Sequence, residues 1–156
     1  MPFQIQTQEQ DQWCWAAVSA SVDRYFSPPS TSTQCSIAHQ VLGGDCCTAP
    51  VPCNSPAFLQ DALGAVGRFK EYKSGPLSFT DIMDEIGRGF PIGVRIGWFG
   101  GGGHFVVIRG FRDGPGVRLL SIADPWFVDS IQDFEVFCSG YLGRGEWTDT
   151  FLLKTV

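Results

Sequence analysis

Apolar residues recur on a helical period through the first long segment of the chain. Ala16, Ala17, Val18, Ala20, Val22, Tyr25 and Phe26 follow one another at that spacing before Ser27-Pro28-Pro29. The pattern predicts a helix over 14–26, capped by Asp11 or Gln12. A shorter helix is expected over 36–42, closed by Gly43-Gly44. Ser55-Pro56 reads as an N-cap with proline at the first helical position, ahead of an apolar face of Phe58, Leu59, Ala62, Leu63 and Val66 that stops at Gly67. Ser78, with Asp81 three residues on, resembles a capping box for a helix through Ile82, Met83 and Ile86 to about Gly87. Beyond this point the texture changes. Segments 91–96, 104–111, 117–123 and 150–156 are rich in Val, Ile, Leu and Phe and read as strands. Asp113-Gly114-Pro115-Gly116 turns the second of these into the third. Residues 126–147 leave room for one further strand. Helices first and antiparallel strands second imply an α+β architecture with two lobes.

The chain has 156 residues, which suits one domain spanning 1–156. The Gly and Pro stretch at 74–76 separates a helical lobe of about 1–75 from a mainly β lobe of about 76–156. An apolar fraction of 44% offers enough buried surface to offset the entropy of ordering. A net charge of −5 argues against nucleic acid or an anionic membrane as partner, and no run of 18 apolar residues is present. Residues 1–8 lack the charged and apolar regions of a signal peptide. Four of the six cysteines fall within residues 35–53, beside Pro50 and Pro52, as in a stapled loop of an exported protein. Secretion or export is therefore the favoured localisation.

Cys14 lies between Trp13 and Trp15 at the first turn of the predicted helix, where the helix N-terminus favours a thiolate. Taken alone, a cysteine there is as readily an inert packed residue. Only two histidines exist. His39 sits on a short helix inside the cysteine cluster and reads as a surface or packing residue. His104 follows Gly100-Gly101-Gly102-Gly103 and opens a strand, so its ring is sterically open to a substrate. Asp124, in Asp124-Pro125-Trp126, ends the strand paired by hairpin with that of His104, and can accept the second imidazole N–H. Trp126 is placed to shield that hydrogen bond. An Asp-Pro turn opener is the plainer reading of Asp124 on its own. Gln8, six residues before Cys14, has a neutral amide suited to an oxyanion, with the Cys14 N–H as second donor. A solvated polar arm is the alternative.

Taken together, Gln8, Cys14-Trp15, His104-Phe105-Val106-Val107-Ile108 and Asp124-Pro125-Trp126 resemble the signature of papain-like cysteine peptidases, in the same order along nearly the whole chain. The Trp13-Cys14-Trp15-Ala16-Ala17 opening, with Cys35-Ser36-Ile37-Ala38 and the Cys46-Cys47 pair, is most similar to the bacterial avirulence-effector protease branch. The chain departs from plant papains in carrying Asp rather than Asn as third residue and in lacking their Gly-Ser-Cys loop. The resemblance implies a papain-like α+β fold, with a helical lobe packed on an antiparallel β-barrel-like lobe and the site in the cleft between them. It implies Cys14 as nucleophile, His104 as acid and base, Asp124 as orienting residue and Gln8 as oxyanion donor. Trp15, Gly103 and Trp126 are the candidate substrate contacts.

The activity this implies is a thiol hydrolase that cleaves peptide bonds through an acyl-enzyme, acting as a monomer on protein or peptide without metal or organic cofactor. Two rivals share the fold: a glutamine deamidase or transglutaminase that attacks side-chain amides, and a catalytically silent binding module. With Cys14 reserved as a thiol, two bridges inside 35–53 and a free Cys138 are the expected cysteine pattern. A four-cysteine zinc site is awkward because Cys46 and Cys47 are adjacent. Fully reduced thiols are the other alternative.

Overall fold

The computed structural model describes residues 1–156. Its elements run α1 (Cys14–Phe26), α2 (Gln34–Leu42), a 3-10 turn (Val51–Cys53), α3 (Leu59–Ala65), β1 (Phe69–Ser74), α4 (Phe79–Gly87), β2 (Ile92–Trp98), β3 (Gly103–Gly114), β4 (Val117–Ala123), β5 (Ser130–Asp133), α5 (Phe134–Gly140) and β6 (Gly145–Leu153). The strands form one antiparallel sheet in the order β1-β6-β2-β3-β4-β5.

The sheet is open, which corrects the expected β-barrel-like lobe. β1 and β5 are its two edges and do not pair with each other. β1 exposes most of its side chains, and β5 is only four residues long. Instead of curling on itself, the sheet is covered on both faces. Phe105, Val107, Ala123, Phe151 and Leu153 point to one face, where they share a core with Trp15, Val18, Val22, Leu59 and Leu63 from α1 and α3. Val106, Ile108, Ile122, Leu152 and Trp147 point to the other, against Phe79 and Ile82 of α4 and Phe137 of α5. Successive side chains of a strand alternate between faces, so Phe105 to Ile108 serve two cores in turn. A centre strand buried on both sides reads as a continuous apolar run, as β3 does.

α1 is the central helix of the first core, with every residue from Cys14 to Asp23 buried. At its far end Asp23 meets Arg68 at 2.9 Å in a buried ion pair, whose remaining bonds go to Ser27, Ser30 and Ser32. The carboxylate is thus fully hydrogen-bonded, which lets a charge stay buried.

Several element ends differ from expectation. Neither Asp11 nor Gln12 caps α1; Trp13 occupies that position without a side-chain bond. The Asp11 carbonyl instead accepts from Gln8, and the Gln12 N–H donates to Asn54 Oδ1. α2 begins two residues early because Thr33 and Ser36 form a reciprocal capping box. α3 begins at Leu59 rather than at Pro56: the Ser55 carbonyl accepts from the Trp15 indole, and Phe58 is extended at the N-cap position. β1 and α5 were not anticipated, and the last strand starts at Gly145 rather than at 150. No helix is long and apolar enough to cross a membrane.

Candidate functional site

The first turn of α1 carries Cys14 against the start of β3, which carries His104. The loop between Cys46 and Ser55 fixes the α1 side. Trp13 Nε1 donates to the Cys53 carbonyl at 2.8 Å and Trp15 Nε1 to the Ser55 carbonyl at 3.0 Å. Both indoles flanking Cys14 are therefore held by one loop. The Cys35–Cys47 disulfide staples that loop to α2, and Cys46–Cys53 closes the loop on itself. They replace the zinc and reduced-thiol alternatives, and no group of three or more His, Cys, Asp or Glu is placed to hold a metal. Cys14 and Cys138 are free. Cys138, half-buried on α5, has its thiol pushed up to about 11 by burial and by Glu135.

On the sheet side His104 and Asp124 meet at 2.7 Å, through Nε2 and Oδ1. This leaves the other ring nitrogen for Cys14. Burial disfavours the imidazolium, but hydrogen bonds and charge from Asp124 and Cys14 outweigh it and hold the His104 pKa at about 9. Burial likewise works against the Asp124 carboxylate, yet its hydrogen bond and attraction to His104, with the N–H groups of Phe127 and Trp126, keep its pKa below the ordinary value. Those two N–H groups donate to Oδ1 at 2.9 Å each.

Three partners of this pair carry no signal in the sequence. The Tyr141 hydroxyl donates to Asp124 Oδ2 at 2.7 Å, and burial, reinforced by the charge and hydrogen bond of Asp124, drives the Tyr141 pKa well up. The Trp98 ring stacks over His104 at 5.8 Å and 14° between planes, and Phe127 meets His104 edge-on. The shield over the pair is thus Trp98 and Phe127, not Trp126, which is 52% exposed on the rim. Nothing in the local sequence of Trp98 or Tyr141 marks them: Trp98 meets His104 across the β2–β3 hairpin, and Tyr141 reaches Asp124 from the turn after α5.

Two cavities meet at Cys14. One, of about 560 Å³, is apolar on its Trp15, Phe58, Phe105 and Phe151 walls and polar at Arg95 and Asp149. The other, of about 910 Å³, lies under the Gly100–Gly103 loop and includes Gln8, His104, Trp126 and Arg144. Gly103 borders both. A Cβ there would sit 2.6 Å from the Arg95 guanidinium, so only glycine lets Arg95 close against the strand that carries His104. His39 is exposed, away from the cavities, with its ring against the Gly44 carbonyl.

Gln8 borders the larger cavity, but its amide is differently engaged than expected. Nε2 donates to the carbonyls of Gln10 at 2.9 Å and Asp11 at 2.7 Å, and Oε1 is buried without a partner. A primary amide has two N–H bonds, so no donor remains for an oxyanion in this arrangement.

The expectation of a peptide-cleaving cysteine peptidase is corrected. Four of the five cysteines in the N-terminal region are locked in disulfides and supply no thiol. The thiol that remains there, Cys14, is only 9% exposed, and the amide meant to complete its oxyanion site is spent on backbone carbonyls. These findings favour the alternative chemistries named for the same fold.

No curated protein matches the chain. A family model described as "Papain-like cysteine protease AvrRpt2" matches residues 1–140, about nine-tenths of the chain, and every site residue named above but Tyr141, Arg144, Asp149 and Phe151. The chain belongs to that papain-like family.

Proposed function

We propose that the chain acts on glutamine side-chain amides, by deamidation or by transfer of the acyl group to an amine. One observation carries this reading: a free thiol at the meeting of two cavities, beside an imidazole whose far nitrogen is held by a buried carboxylate. Cys14 Sγ attacks the carboxamide carbon, and the proton on His104 passes to the departing nitrogen, which leaves as ammonia. Water, deprotonated by His104, then cleaves the thioester to a glutamate side chain; an amine in its place gives a new amide. Asp124 keeps the ring aimed and stabilises its charge without exchanging protons. The recession of Cys14 supports a slender acyl donor, because a side chain carrying its amide beyond two methylenes reaches a buried sulfur more easily than a main chain flanked on both sides.

The purified chain is to be incubated with glutamine-containing peptides, with ammonia and product masses followed together. Ammonia release with conversion of Gln to Glu, lost in Cys14→Ala, is the expected result. Shortened peptides without ammonia would overturn the reading. Peptide binding with no chemical change would point instead to a silent binding module.

A further inference from the structure

Arg144 is the one arginine in the larger cavity without a carboxylate. Arg95, the other, lies 3.8 Å from Asp149 and donates to Thr148 Oγ1. His104 is matched by Asp124. Arg144 forms none of the protein's ion pairs and no side-chain hydrogen bond, yet it is not loose. Its guanidinium lies 5.9 Å from the Trp98 ring centroid and 5.5 Å from that of Phe127, the same rings that shield His104. Its backbone is fixed as well, since the N–H donates to Tyr141 and the carbonyl accepts from Phe99. A planar cation braced by two rings keeps its N–H edge pre-organised for a bidentate acceptor. The only unpaired acid bordering this cavity, Asp11, belongs to the N-terminal turn and not to the wall that carries Arg144.

We infer that Arg144 selects substrates bearing a carboxylate close to the reacting amide, on the glycine-loop side of the cleft. The inference rests on the amide-chemistry reading for the identity of the reacting group, but not for the recognition itself. In a chain of net charge −5 an acidic peptide is repelled at long range, so a local unpaired guanidinium is what would admit it.

The test separates binding from chemistry by using the Cys14→Ala chain. Glutamine peptides with amidated C-termini, each carrying one Glu or one Gln at a chosen distance from the central glutamine, are titrated by tryptophan fluorescence. A matched set with free C-terminal carboxylates distinguishes an acidic side chain from a chain terminus. The expected result is a roughly fivefold to tenfold preference for Glu at one position, weakening as salt is raised. Arg144→Gln should abolish it. Arg144→Lys should keep part of it, because the charge stays while the stacked plane is lost, and Asp11→Asn should leave it intact. Absence of any Glu or carboxylate preference, or a preference unchanged in Arg144→Gln, overturns the inference. A Glu preference that survives when no peptide releases ammonia with the parent chain would defeat the amide-chemistry reading alone.

Discussion

Cys14 and His104 reach the same cleft from two kinds of scaffold. The Cys14 side is covalent and local: two disulfides close a short loop, and that loop holds the indoles on either side of the sulfur. The His104 side is non-covalent and distributed. Its ring is placed by the β2–β3 pairing, its acid by the end of β4, its supporting hydroxyl by the turn before β6. A loop with few core residues gains rigidity from crosslinks, whereas a strand at the centre of a doubly covered sheet gains it from burial. The two sides should therefore fail under different insults, the first to reductant and the second to loss of packing or charge.

The largest effect is expected from removing the sheet-side base. His104→Ala should lower ammonia release by about 10²- to 10⁴-fold, with alkylation of Cys14 by iodoacetamide at mildly acidic pH falling alongside. His39→Ala should preserve both. The reverse result would mean that the helical side supplies the base and that the comparison is misdrawn. Cys138 serves as an internal control, since its raised pKa makes it slow to alkylate.

Opening the disulfides attacks the other side. Replacing both bridges by alanine pairs should cost about 2–4 kcal/mol each in denaturant unfolding, through the freedom restored to the unfolded loop. In the variant that still folds, Cys14 labelling should slow while the His104 imidazole signal by NMR stays in place. Movement of both together would show that the loop and the sheet are one scaffold.

Tyr141→Phe probes the sheet side more gently. It removes a hydrogen bond to a buried carboxylate, at a cost of about 1.5–3 kcal/mol. With one fewer donor, Asp124 should hold its negative charge less well, and the His104 pKa should change from about 9. An unchanged titration would reduce Tyr141 to a packing residue. The pair's pH dependence follows from the two shifts. His104, raised from 6.5 to about 9, contributes stability fully below 6.5 and loses it as pH rises through about 9. Asp124, lowered from 3.8, contributes above that value and loses it as pH falls. The melting-temperature gap between the parent and His104→Ala should thus be widest between pH 3.8 and 6.5, and close towards alkaline pH.

The same division governs what could be read from the sequence. α1, α4 and the β3–β4 hairpin announced themselves because one repeat and one turn signal suffice to define each. β1 did not, because Phe69-Lys70-Glu71-Tyr72-Lys73-Ser74 is an exposed edge strand without the apolar run of a buried one. α5 carried a readable start, since the Asp133 side chain caps the Val136 N–H, but its seven residues make only about two turns, too few for an apolar repeat to stand out. Barrel closure came only from resemblance, and no pattern along the strands contains it. Cys14 and His104 border one cavity, with Asp124 behind the imidazole. Trp98, Tyr141 and Arg144 were beyond reach, because their roles arise from side-chain contacts made in the folded chain and not from a repeat or turn signal.

The smallest effect is expected at Gln8, on the seam between the two scaffolds. Its backbone N–H donates to the Pro125 carbonyl at 2.9 Å, so it touches the Asp124 turn while its side chain closes the turn that leads into α1. Gln8→Ala loses two amide hydrogen bonds to carbonyls and should cost about 1–3 kcal/mol of stability. It also removes the buried, unpaired Oε1, which offsets part of that loss. Because both N–H bonds are committed in the free protein, kcat should fall less than the roughly 10²- to 10³-fold typical of losing an oxyanion donor. Gln6→Ala, Gln10→Ala and Gln12→Ala supply the baseline. A kcat loss of the full size confined to Gln8, with KM unaltered, would show that substrate draws the amide out of its turn and that the Cys14 side is completed only on binding.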